Sequence, residues 1–163
     1  MGNYTLENKN QFTVVGVGVE LKSPYTDFAG IAKEKQTFDE ESQANGLIDK
    51  LRKIANNDFF FTVNEAYDNK MMYYLGVESD ESIPEVTRVI QFPEGMYVIV
   101  SGEATSPEEL RQTLTGMSFG QVLGQMNDYH YVGGPNAVIE MGQKNGKFTG
   151  EMWIPVIKKE KSE

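Results

Sequence analysis

The hydrophobic pattern of this chain runs through the same order of elements twice, and that order limits the folds open to it. Phe12–Leu21 is rich in β-branched residues and reads as a strand. Ala44, Leu47, Ile48, Leu51, Ile54 and Ala55 recur at helical steps, which predicts a helix over 39–56 that Gly46 weakens. A shorter helical turn is expected within 28–35. Phe59–Val63 and Met71–Val77 read as strands joined through Asp68-Asn69. The order then returns as a strand over 96–102, a helix over 106–126 and strands over 131–141 and 151–157. Thr87–Phe92 supplies a further strand, set off by Pro93-Glu-Gly95. Similarity between the halves lies in this order rather than in residues. At 163 residues the chain has room for one domain or for two small repeats sharing a core. The expected architecture is α+β, with pseudo-twofold strand–helix–strand–strand units, an antiparallel sheet, two main helices on one face and a ligand cleft between the halves.

Two local signals anchor the second half. Ser106-Pro-Glu-Glu109 places a cap, a first-turn proline and a capping-box acid ahead of a helix, in which Gly116 and Gly120 allow a kink or a break. Lys144-Asn-Gly146 lies between two apolar runs and predicts a hairpin. Alternation along that hairpin puts Val138 and Glu140 on one face of its first strand. On its second strand Glu151, Trp153 and Pro155 share one face, and Met152, Ile154 and Val156 the other.

Composition removes several function classes. A formal charge of −9 disfavours nucleic acid as a direct partner, because phosphates need a basic face. The absence of cysteine excludes disulfides, zinc ribbons and thiol nucleophiles. No apolar run reaches the roughly 18 residues of a membrane span, and the N-terminus lacks a signal-peptide layout, so a cytoplasmic location is expected. Gly16-Val-Gly18 lacks the third glycine and the helix of a dinucleotide fingerprint, and reads as a bulge or a close backbone approach. His130 is the only histidine and has no nucleophile elbow to serve, so it reads as a surface or interface residue. The acidic runs Asp39-Glu-Glu41 and Glu78-Ser-Asp-Glu81 lack calcium-loop spacing, and the tail 158–161 reads as a solvated basic end. No cofactor or metal site is expected.

What remains is aromatic and acidic. Tyr73, Tyr74, Tyr97, Tyr129, Tyr131 and Trp153 lie on or beside predicted strands, with Glu140 and Glu151 close in the pattern. Aromatic faces attract cations, and a carboxylate among apolar groups is costly unless a charge partners it. The same residues also suit ordinary sheet core and edge positions.

Tyr73-Tyr-Leu-Gly-Val-Glu78, Phe92-Pro-Glu-Gly-Met-Tyr-Val98, Ala137-Val-Ile-Glu140 and Glu151-Met-Trp-Ile-Pro-Val156 occur in the order found in the GyrI-like small-molecule-binding domain. In this respect the chain resembles the effector-binding domains of AraC-type and MerR-type multidrug regulators, over about residues 12–158. The resemblance implies a single domain across 1–163, built from paired strand–helix–strand–strand units. It implies that Glu140 meets a cationic or lipophilic ligand in a central cavity, although Ile139 and Met141 depart from the family's aromatic positions. Trp153 and Tyr73 or Tyr74 would line that cavity, with Glu151 and Tyr97 as further ligand-binding candidates. About eleven residues precede the first predicted strand, too few for a DNA-reading domain, so a stand-alone effector-binding protein is expected. Two alternatives accompany this reading. One is hydrolysis of strained electrophiles with Glu140 as general base, and the other is action on a protein partner such as gyrase or a regulator.

Overall fold

The computed structural model describes residues 4–24, 26–131 and 135–158. Residues 132–134 of an expected strand and residues 159–161 of the basic tail lie outside the described residues. The chain divides into two compact units, Thr13–Gln91 and Met1–Phe12 with Phe92–Glu163. Both are α+β, with helices packed on one face of an antiparallel sheet.

In the N-terminal unit the strands are β2 (Phe12–Glu20), β3 (Phe60–Tyr67), β4 (Lys70–Glu78) and β5 (Arg88–Phe92), ordered β3-β4-β2-β5. The β3–β4 hairpin turns through Asp68 and Asn69, both at positive φ, which is the twist a two-residue hairpin requires. The expected helix over 39–56 is two helices, α1 (Phe28–Ala44) and α2 (Leu47–Ile54). The break falls at Gly46, whose φ of 79° is left-handed and costs glycine little. The short turn expected within 28–35 is the first half of α1. Asp27 starts it by accepting a bond from the Gly30 amide at 3.0 Å. Leu47, Leu51, Phe60, Tyr73, Leu75 and Val77 form the core under the helices.

Gly16-Val-Gly18 is the close approach that its glycines suggest. A Cβ on Gly18 would lie 2.3 Å from the Tyr74 ring, so the ring lies directly against the strand backbone.

The C-terminal unit begins with a strand that the pattern did not predict, β1 (Tyr4–Lys9), antiparallel to β6 (Gly95–Ala104). Helix α3 (Pro107–Met117) is capped by Ser106, which accepts from the Glu109 amide at 3.1 Å. The return bond of the capping box lands one residue earlier, on the Thr105 amide. The helix does not break at Gly116. It widens into a π turn over Ser118–Val122 and ends with Leu123–Gln125. The strand expected over 131–141 is two, β7 (Tyr129–Tyr131) and β8 (Asn136–Lys144), and the last strand is β9 (Lys147–Lys158). The order is β1-β6-β9-β8, with β7 also on β9. Asn145 and Gly146 both take positive φ at the predicted hairpin turn.

Candidate functional site

Strand alternation sorts the side chains of the C-terminal unit. Val98, Val100, Val138, Met152, Ile154 and Val156 form its core with Leu110 and Leu114 of α3. Tyr97, Glu151 and Trp153 therefore point to the opposite face. There Phe12 stacks on Phe92 at 4.6 Å and meets Trp153 edge-on at 5.6 Å. Tyr97 is fully buried 6.2 Å from Phe12, and its hydroxyl donates to the Pro93 carbonyl at 2.7 Å. Burial raises its pKa above the usual phenol value. The Trp153 indole N–H donates to Glu151 Oε1 at 2.8 Å, and the Lys9 ammonium lies 3.9 Å from the Trp153 ring centroid. The pairing of Glu151 with Trp153 was legible from their spacing. Lys9 was not, since nothing in the first eleven residues marked a strand.

Glu140 is half-buried at a bulge in β8, opposite Gly150. A Cβ on Gly150 would meet Leu110 of α3 at 3.0 Å, so this register position belongs to the helix-bearing face, as does Val138 two residues before. The sheet thus stands between Glu140 and Trp153, which the family resemblance placed around one cavity. Within this unit Trp153, Glu151 and Tyr97 come together, and Glu140 sits across from them.

Tyr73 and Tyr74 also divide, because neighbours on a strand face opposite ways. Tyr73 faces α1, donates its hydroxyl to Asp39 Oδ1 at 2.8 Å and meets Phe38 edge-on at 6.1 Å. Lys35 lies 5.1 Å from its ring centroid. Tyr74 is on the other face, beside Glu65 and Arg88. Burial, and then the Glu65 carboxylate, push its pKa up to about 12. Arg88 grips Glu65 through two bonds of 2.8 and 2.9 Å, and this pair carried no signal in the sequence. An open pocket of ≈ 400 Å³ in the same unit is lined by Val19, Ser23, Glu34, Phe38 and Glu41, none of them among the predicted site residues. Glu34 accepts the Lys22 and Ser23 amides there, and its pKa is lowered chiefly by those bonds.

His130 is exposed on β7. Among the described residues no three His, Asp or Glu side chains gather as a metal site, and no helix is long and apolar enough to cross a membrane.

Residues 5–156 match the model of the Cass2 family, integron-associated effector binding protein. The chain belongs to this family. Among curated proteins no sequence matches it significantly. Solved structures share the GyrI-like fold. SAV2435, solved bound to tetraphenylphosphonium, is similar at a TM-score of 0.75 and 19% identity, with 95% of this chain and 94% of that chain covered. A protein from Staphylococcus aureus MU50, described as belonging to bacterial transcription regulation, is similar at 0.73 and 19% identity, covering 96% and 99%. The Vibrio cholerae integron cassette protein VCH_CASS2 is similar at 0.57 and 15% identity, covering 96% of each chain.

Proposed function

We propose that this protein binds a small lipophilic cation as its effector. The observation that carries the reading is the effector-binding family match over residues 5–156. Its support is a fold shared with a protein solved on tetraphenylphosphonium. The formal charge of −9 favours a cation over an anion. Glu140 is the ionic anchor, because a half-buried carboxylate attracts a cation more strongly than one in bulk water. Trp153 and Glu151 form an aromatic and acidic patch on the other face, with Tyr97 packed beneath it. In the N-terminal unit Tyr73 offers an aromatic ring on the helix-bearing face and Tyr74 one on the opposite face. Residues 12–158 form the effector-binding domain, of the kind found in AraC-type multidrug regulators, and it works in the cytoplasm.

The test is calorimetric titration with tetraphenylphosphonium, using wild type and Glu140→Gln, with circular dichroism to check folding. The wild type binds. The folded Gln variant binds about tenfold more weakly, a loss of about 1.4 kcal/mol. Equal affinity in the variant removes Glu140 as the anchor. No binding of tetraphenylphosphonium by the wild type overturns the cation reading.

A further inference from the structure

The face of the C-terminal unit away from α3 already holds a cation. Phe12, Phe92, Tyr97 and Trp153 converge there as an aromatic cluster, and Lys9 Nζ sits over the Trp153 ring at 3.9 Å. Aromatic clusters of this kind recognise quaternary ammonium groups, because the ring faces are negative and such cations are weakly hydrated. Glu151, bonded to the indole N–H, adds a carboxylate beside the ring and makes the place still more favourable for positive charge. Trp153 is 6% exposed.

Lys9, whose side chain is 22% exposed, has no buried carboxylate among the described residues as an ion-pair partner. It is the last residue of β1, which ends the strand order of its unit and is mostly exposed along its length. Its ion pair with Glu7 is long, at 3.8 Å, and the Glu7 side chain is 54% exposed, so that contact adds little. The ammonium is a strongly hydrated point charge on a flexible stem, so the ring does not fix its geometry as a bidentate partner would. A tethered group competes at an effective concentration in the millimolar range.

We propose that Lys9 is a built-in competitor at a second cation site, in which the Trp153 ring takes a quaternary ammonium group when the Lys9 ammonium swings away. This rests on the binding reading above only for the class of ligand, and it uses a face on which Glu140 takes no part. The tethered lysine sets a threshold, so that weakly attracted cations are kept off Trp153 and better ones displace it.

The experiment uses the full chain and the fluorescence of Trp153, the only tryptophan. Choline is the probe, and 3,3-dimethyl-1-butanol is its neutral isostere. Lys9→Met keeps the stem and removes the charge. Its apparent Kd for choline is expected to tighten by roughly threefold to thirtyfold relative to wild type, the range that one cation–aromatic contact spans. Lys9→Arg keeps a cation on the ring and is expected to bind choline no more tightly than wild type. The alcohol should leave the fluorescence of every variant unchanged. If Lys9→Met fails to fold, Lys9→Gln makes the same comparison. Choline affinity that is unchanged or weaker in a folded neutral variant overturns the proposal, as does equal quenching by the alcohol. The two readings fail separately. Tetraphenylphosphonium binding that depends on Glu140 while choline ignores Lys9 sinks only the competitor. Choline binding that tightens in Lys9→Met, without any tetraphenylphosphonium binding by the wild type, overturns the lipophilic-cation reading above and leaves the competitor standing.

Discussion

Each unit presents, on the sheet face away from its helices, an acid and a cation stacked on an aromatic ring, but the two cations are held in different ways. In the N-terminal unit Arg88 lies 3.8 Å from the Tyr67 ring centroid while its guanidinium fork closes on both oxygens of Glu65. Glu65 is 9% exposed and Arg88 26%, so the pair is largely out of water. A planar fork on a carboxylate is fixed in geometry as well as in charge. In the C-terminal unit Lys9 has a ring face and one long contact to an exposed acid. The two cations are buried to a similar degree, yet the first is closed into a clamp and the second is not. What separates them is whether the cation also satisfies a buried carboxylate.

The largest way to break this comparison is Arg88→Met. It leaves the Glu65 carboxylate nearly buried without its bidentate partner. Loss of a buried pair costs about 3–5 kcal/mol, and the partial exposure of Arg88 brings the expectation to about 2–3 kcal/mol. Urea unfolding measures it. Unlike Lys9→Met, Arg88→Met should not tighten choline binding. A destabilisation below about 0.5 kcal/mol would mean that the clamp is no firmer than an exposed pair.

A pH scan sharpens the same contrast. The Tyr74 hydroxyl, held neutral first by burial and then by Glu65, has its pKa raised to about 12 from an ordinary value near 10. Its contribution to stability is complete below pH 10, where the unfolded chain also keeps the proton. It is lost as pH rises from about 10 through about 12, because the unfolded state ionises first. Denaturation midpoints across that range should fall more steeply for wild type than for Tyr74→Phe. Parallel curves would show that Tyr74 is not the group responsible.

The sequence made some of this legible and hid the rest for physical reasons. Turns requiring positive φ announce themselves, and both Asp68-Asn69 and Asn145-Gly146 occur where their residues indicated. The Ser106 cap did so as well. Alternation correctly assigned Trp153 and Glu151 to one face of β9, since period two is local information. The first strand was missed because Tyr4–Lys9 is polar and exposed and owes its form to pairing with β6, which no local pattern records. The single helix over 39–56 overlooked that Asp27 could start α1 earlier and that Gly46 could take left-handed φ. Lys9 over Trp153 and Arg88 on Glu65 join residues far apart in the chain, so their chemistry emerged only with the fold.

The smallest expected effect concerns how Glu151 and Trp153 support each other. Trp153→Phe keeps an aromatic ring for Lys9 but removes the indole N–H that donates to Glu151. Glu151 is half-buried, so the lost bond leaves a carboxylate that water reaches only in part. A hydrogen bond to a charged group contributes about 1.5–3 kcal/mol when buried, and partial hydration here reduces the expectation to about 1 kcal/mol, together with a modest loss of packed area. Trp153→Phe combined with Glu151→Gln should cost less than the sum of the two single changes, because the bond can be lost only once. Urea unfolding of the four proteins measures that coupling. Strict additivity would mean that the Glu151 carboxylate is solvated independently of the ring. The cation on Trp153 would then be held by the aromatic face alone, and the acid would add nothing to the site.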